Sequence, residues 1–324
     1  MEKFYFLTHD NHDAYFNLAS EEYLLKQKDG YYVYLWVNEP AVIVGVNQNT
    51  MQEVNLSYTE EHGIKVVRRQ TGGGAVYHDL GNICYTVIAP FDETVNNYEK
   101  FTAPVIEYLN LIGVKAEFSG RNDIAVDGKK ISGNAQTIYG NRIMHHGTLL
   151  FKTDMEALTG ALKPNKLKIE SKGIKSVRAR VTNIYENLAV KMDAKEFLEG
   201  LRNYFRGEMP TVEFTNEDIK RINKLIKEKY STYEWNIGGS PKGKNRFDGR
   251  FKFGTITLCF DTEKGVIKNA QIFGDFFAVK DVTMLADNLN GVKFNHSDVE
   301  EALSGIGEYI KGADASEIAK AIFE

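Results

Sequence analysis

Three consecutive glycines, Gly72-Gly73-Gly74, sit between two segments that read as strands, Ile64-Lys65-Val66-Val67 and Ile83-Cys84-Tyr85-Thr86-Val87-Ile88. Glycine loses more backbone entropy on folding than any other residue, so a run of three persists where something must approach the main chain closely. Arg68 and Arg69 precede the run, and Tyr77, His78, Asp79 and Asn82 follow it, all able to hydrogen-bond. Bare peptide N–H groups beside guanidinium forks suit a phosphate or a carboxylate. The plainer alternative is a tight hairpin joining the two strands.

At 324 residues the chain has room for one large or two modest domains, at roughly 150 residues per domain. Forty basic residues against 44 acidic ones give a net charge of −4, so nothing demands a nucleic acid partner. Cys84 and Cys259 are far apart, each in an apolar strand-like run, which fits neither a zinc knuckle nor a disulfide framework. Two buried free thiols are expected. The N-terminus lacks a basic stretch followed by an apolar one, and no apolar run of about 18 residues occurs. These features point to a cytoplasmic protein with no membrane association.

Strands and helices alternate through the first two-thirds without the period of a barrel or a doubly wound sheet. Helices are expected at 17–28, 53–61, 95–111, 154–162, 194–205 and 217–229, the last with Thr215 placed to cap Asp218. Strands are expected at 31–36, 41–46, 116–118, 123–126, 130–131 and 143–151, with Asp127-Gly128 as a two-residue hairpin turn. Strands clustered together with helices beside them argue α+β. A boundary falls near Gly238 to Asn245. Beyond it, a hairpin of two strands (251–260 and 265–273) and three helices (282–289, 297–303 and 315–323) form a small α+β domain. Gly238, Gly243 and Lys244 approach Walker A spacing, but Asn245 stands where a Ser or Thr should hold magnesium. A polar linker is the better reading.

Lys129 and Lys130 follow the hairpin turn, with Ser132 and Asn134 close behind. Strand alternation sends the two lysines to opposite faces, so at most one serves a pocket. An ammonium at a sheet end can clamp a phosphate or a reacting carboxylate. The adjacent His145 and His146 likewise face opposite ways and cannot share one metal. No third ligand of fitting spacing is visible, so no structural metal site is expected. Lys163, Lys166, Lys168, Lys172, Lys175, Arg178 and Arg180 oppose only Glu170 in a Gly173-containing stretch suited to closing over an anion.

Taken together, these segments resemble the lipoate–protein ligase family. The resemblance rests on Arg68 to Asn82, Asn122-Asp123-Ile124, Asp127 to Ala135, His145 to Leu150 and Lys172 to Asn183, five blocks in the family's order. It covers most of residues 1–240, and the C-terminal segment resembles the family's accessory domain. It implies a catalytic domain over 1–238, a linker over 239–247 and an accessory domain over 248–324. The implied fold is a mixed β-sheet with flanking helices, shared with biotin ligases, with the pocket at the sheet face. The implied reaction has two steps: lipoate and ATP, with Mg2+, give lipoyl-adenylate and pyrophosphate. The acyl group then passes to a lysine of a lipoyl domain, as in the E2 subunits of 2-oxoacid dehydrogenases, or of the glycine-cleavage H protein.

The resemblance also implies roles. Lys130 matches the essential lysine, bridging the α-phosphate and the reacting carboxylate. Arg69, Gly72, Gly73, Gly74, Ala75, Val76, Tyr77 and His78 match the substrate- and nucleotide-contacting stretch. Asn122 and Asp123 would lie beside phosphate or adenosine, and Asn82 near the adenine. Leu18, Trp36, Thr71 and His146 would form the lipoyl slot, Thr71 replacing a serine often found there. Thr137 stands where some members carry arginine and receives no role. Lys172, Gly173, Ser176 and Arg178 belong to the loop that would cover the adenylate. An ATP-independent lipoyl- or octanoyltransferase is the main alternative, and a non-enzymatic lipoate-binding protein a lesser one. A thioester route needs an exposed nucleophilic cysteine, which neither Cys84 nor Cys259 supplies from a strand.

Overall fold

The computed structural model describes residues 3–91, 98–163, 180–238 and 245–323. Strands β1 (Phe4–Leu7), β2 (Tyr31–Val37), β3 (Ala41–Val44), β4 (Lys65–Arg68), β5 (Val76–His78) and β6 (Asn82–Pro90) form first along the chain. They are followed by β7 (Glu117–Ser119), β8 (Asp123–Val126), β9 (Lys129–Tyr139), β10 (Arg142–Leu150) and β11 (Thr211–Val212). Eight of them make one mixed sheet in the order β11-β1-β2-β6-β10-β9-β8-β7. The first two pairings are parallel and the rest antiparallel.

Period-two alternation gives this sheet two apolar faces. Leu35, Val37, Ile83 and Tyr85 enter one core with Val105, Leu109, Phe197 and Leu201, contributed by the helices Tyr98–Leu111 and Ala194–Arg206. Tyr34, Trp36, Cys84 and Ile88 enter the other, against Leu18, Leu24 and Leu25 of helix α1 (Ala14–Gln27). The expected helix at 53–61 is two short ones, Thr50–Glu53 and Leu56–Glu61, each capped by its own asparagine.

The glycine run is not a hairpin between the flanking strands. β4 pairs with β3 in parallel, β5 pairs with the other edge of β3, and β6 lies in the large sheet. The run therefore crosses over β3, from one edge to the other. The Asp127-Gly128 turn is as expected. Both residues have positive φ (48° and 72°), and Val126 pairs with Lys129.

The C-terminal part has its own core and holds three strands, not two. β12 (Asn245–Phe251), β13 (Gly254–Glu263) and β14 (Val266–Gly274) form an antiparallel sheet. Four helices pack with it: Thr283–Leu289, His296–Ala302, Ile306–Tyr309 and Ala315–Phe323. Of the expected linker, residues 239–244 lie outside the described residues and 245–247 already belong to β12. Cys84 and Cys259 are both buried free thiols. No helix among the described residues is long and apolar enough to cross a membrane.

The helix Asn216–Leu225 opens with the expected cap as a full capping box of Thr215 and Asp218. Asp218 also accepts from the Tyr23 hydroxyl and pairs with Lys28 at 2.7 Å. Burial works against its ionisation, but the Lys28, Tyr23 and Thr215 donors outweigh that and hold the carboxyl well below its ordinary range. A depressed carboxyl contributes stability that is full above its unfolded value of about 3.9 and is lost as pH falls through the native value. Asp218→Asn should therefore lower the urea midpoint at pH 7 and flatten its decline below about pH 4. A parallel acid limb in wild type and variant would contradict this.

Candidate active site

A cavity of about 250 Å³ lies where the large sheet, the β4-β3-β5 sheet and α1 converge. Leu18, Trp36, Ile43 and Cys84 give it an apolar end, and Arg121, Asn122, Asp123 and Lys130 a polar one. Arg69, Gly73, Gly74, Ala75, Val76 and His78 run along it, and His146 closes one wall. Twelve of the site residues expected between 18 and 146 border this place, and four do not. Tyr77 alternates away from Val76 and His78 into the core with Val42 and Val44. Asn82 is buried outside the lining and donates to Cys84 Sγ at 3.4 Å. Thr71 stands behind the wall, and Gly72 faces the C-terminal part. Lys172, Gly173, Ser176 and Arg178 lie outside the described residues.

Lys130 reaches the cavity through a fault in the strand ladder. The β8/β9 register slips between Ile124, paired with Ser132, and Ala125, paired with Lys130. In an unbroken strand Lys130 and Gly133 would face opposite sides. The bulge re-aims the lysine, so its Nζ lies 2.8 Å from Asp123 Oδ1 and only 2.7 Å from where a Cβ on Gly133 would be. Lys129 is exposed and outside the cavity. The backbone of Lys130 is tied to the last residue of the basic stretch, its N–H donating to the Arg180 carbonyl at 2.9 Å.

Arg69 is buried, with no carboxylate in contact among the described residues. Its Nη2 donates to the Gly72 and Gly74 carbonyls at 2.6 and 2.9 Å, and its Nη1 to the Ile43 carbonyl at 3.1 Å. Burial pulls it down to about 10, so it stays charged at neutral pH beside the glycine turn. His78 is held neutral, pulled to about 3 by burial and then by Arg69 and His146. Burial, then Glu21, pushes the Cys84 thiol well above its ordinary range; it borders the cavity but stays protonated. His145 faces the opposite side, stacked on Phe101 at 4.8 Å, as alternation requires. Among the described residues no cluster of three metal-ligating side chains occurs.

The C-terminal part closes one side of the cavity, which the sequence did not reveal. Asp275 and Phe277 line it, and Arg121 lies over the Phe277 ring at 4.7 Å while donating to the Phe253 carbonyl. Gly73 adopts φ +90° and donates to the Phe276 carbonyl at 3.3 Å, and a Cβ on Gly72 would meet that same oxygen at 2.4 Å. Part of the need for glycine is thus contact with the chain's own second core. A Gly-Asp-Phe-Phe stretch after a strand carries no signal that separates it from ordinary core. Glu21 was also missed, because a carboxylate inside a helix reads as solvated surface.

The lipoyl protein ligase A/B catalytic domain family matches residues 13–206, and the bacterial lipoate protein ligase C-terminus family matches residues 240–322. The chain is 47% identical over 302 residues to lipoate-protein ligase LplJ of Bacillus subtilis, covering 91% of each chain. The crystal structure of P. falciparum LipL1 with lipoate superposes with a TM-score of 0.78 at 27% identity, covering 98% of this chain and 99% of that one. A lipoate-protein ligase A structure bound with ATP superposes at 0.63 and 27% identity, covering 74% of this chain and 99% of the other. A mixed sheet carrying a lysine and a glycine crossover at one cavity, with family matches over residues 13–206 and 240–322 and a relative 47% identical over 91% of the chain, places the chain in the lipoate–protein ligase family.

Proposed function

We propose that this cavity holds lipoate and ATP side by side and joins them before a protein lysine enters. The protein is an ATP-dependent lipoate–protein ligase. The observation that carries the local reading is the Lys130 ammonium, 2.8 Å from Asp123 at the polar end of a cavity whose other end is apolar. The lipoate carboxylate attacks the α-phosphorus of ATP; the bond to the β-phosphate breaks and pyrophosphate leaves. An acceptor ε-amine then attacks the acyl carbon, loses a proton, and AMP departs.

Lys130 would neutralise charge on the α-phosphate and carboxylate in the first step and steady the carbonyl oxygen in the second. Arg69 and the peptide groups of Gly73 to Val76 would hold the phosphates, with Asn122 and Asp123 beside them. Leu18, Trp36 and His146 would take the acyl chain. Mg2+ binds through few protein carboxylates plus substrate phosphates, and Asp123 fits that need; when bound, the metal offsets phosphate charge. The basic stretch holding Lys172, Gly173, Ser176 and Arg178 is proposed to cover the adenylate. Acceptors are lipoyl-domain proteins such as dehydrogenase E2 subunits or the glycine-cleavage H protein. Residues 1–238 are assigned the chemistry and the C-terminal part an accessory role.

The test is lipoate-dependent pyrophosphate release from ATP and Mg2+ with no acceptor present. Release establishes adenylation. Silence, with an acceptor still modified from supplied lipoyl-adenylate, makes this a transferase. Cys84→Ala should leave the rate within a few-fold, since a protonated buried thiol is a poor nucleophile; loss of transfer in a folded variant would reinstate a thioester. Gly133→Ala should fold, because the atom its methyl displaces is the tip of a flexible lysine. That displacement should slow adenylation about 10- to 100-fold; an unchanged rate would show that the Lys130 position does not matter.

A further inference from the structure

In and behind the cavity wall, four buried side chains form a line in which the chemistry of the two ends orients the hydrogen bonds. Glu21, on α1, is 1% exposed and accepts from the Thr86 hydroxyl at 2.7 Å. Its two carboxylate oxygens lie 2.9 and 3.1 Å from His146 Nδ1. A carboxylate only accepts, so Nδ1 carries a hydrogen. His146 Nε2 lies 2.8 Å from Thr71 Oγ1, and Arg69 Nε donates to that same oxygen at 2.8 Å. A guanidinium only donates, which leaves the Thr71 hydroxyl hydrogen free to point at Nε2. Were Nε2 protonated as well, that hydroxyl, in a fully buried residue, would need another acceptor. The direction is therefore Arg69 to Thr71 to His146 to Glu21.

At its far end this line holds the glycine turn. The same guanidinium grips the Gly72 and Gly74 carbonyls. Because trans peptides are planar, turning those two carbonyls toward Arg69 turns the N–H groups of Gly73 and Ala75 away from it, the first onto the Phe276 carbonyl. The rotation of one guanidinium thus sets how the crossover meets the C-terminal part and how it aims the Ala75 N–H.

We propose that Glu21 is a positioning residue for adenylation, acting through the His146 tautomer, Thr71 and Arg69 on the glycine crossover. This rests on the ligase reading above. Glu21→Met keeps the bulk and removes the acceptor, whereas Glu21→Gln keeps an acceptor oxygen. Glu21→Met should lower kcat/KM for ATP on the order of tenfold or more, and Glu21→Gln should recover most of it. Thr71→Val breaks the same line, so the Glu21→Met/Thr71→Val double variant should lose little beyond the worse single one. Nitrogen-15 NMR of the His146 ring should show Nδ1–H in the wild type and a shift toward Nε2–H in Glu21→Met. Additive losses, a change confined to the KM for lipoate, or a wild-type Nε2–H ring would overturn the proposal. The ring measurement needs no turnover, so an enzyme that releases no pyrophosphate would sink the ligase reading while leaving the tautomer assignment intact.

Discussion

Lys130→Ala is expected to abolish lipoate-dependent pyrophosphate release while leaving the melting temperature almost unchanged. The lysine and Asp123 side chains are each 35% exposed, so their ion pair is worth only about 0–1 kcal/mol to the fold. The chemical cost is far larger. Charge gathers on the α-phosphate and the departing oxygen during adenylation, and a preorganised cation there acts in a partly water-excluded site. Removing one such donor typically slows a reaction about 10²–10³-fold. Lys130→Arg should not restore it, because a planar fork on a longer arm does not place its charge where the ammonium sits. Transfer from supplied lipoyl-adenylate should also fall, since the same group would face the carbonyl oxygen. A folded Lys130→Ala protein that releases pyrophosphate at the wild-type rate would remove the central residue of the assignment.

That lysine illustrates how far the sequence could be read. Strand alternation shows that only one of Lys129 and Lys130 can serve a pocket, but it does not choose between them. The choice is made by a one-residue register slip opposite Ile124 and Ala125, and a bulge is a tertiary compromise with no signature in Lys-Lys-Ile-Ser-Gly. The Asp127-Gly128 turn was legible because its two positive φ angles demand those residue types. The hairpin expected at the glycine run was not, because β4 and β6 find partners in different sheets. Asn245–Phe251 carries Asp248 and Gly249, poor strand formers. It is a strand because Phe247 and Phe251 pack on the C-terminal core and every residue pairs across to β13. Tyr77 and Asn82 belong to a recognisable motif, but a motif does not say which way a side chain turns. Glu21 and Phe277 were hidden for the same reason: what each touches comes from segments distant in the chain.

Deleting residues 240–324 is the other change with a large expected effect, and it should separate the two steps. Residues 3–238 contain three apolar clusters without members from the C-terminal part, so the shortened chain should fold. It would lose Phe277 and Asp275 from the cavity wall, the ring beneath Arg121 and the Phe276 carbonyl that meets Gly73. The Gly274 N–H that donates to the Asn47 carbonyl at 2.6 Å would go as well. Adenylation brings two anions together and depends on exact placement, where a misplacement of about 1 Å can cost 10²-fold. Transfer begins from one bound acyl-adenylate and must admit a protein lysine, so an open wall should harm it less. Pyrophosphate release should therefore fall about 10²-fold, while acylation of a lipoyl domain from supplied lipoyl-adenylate should fall only a few-fold. The single change Phe277→Ala should move both rates in the same direction by less, because the backbone contacts to Gly73 and Asn47 remain. Equal loss of the two steps in a folded truncation would mean that the C-terminal part supports the cavity as a whole rather than completing it for activation.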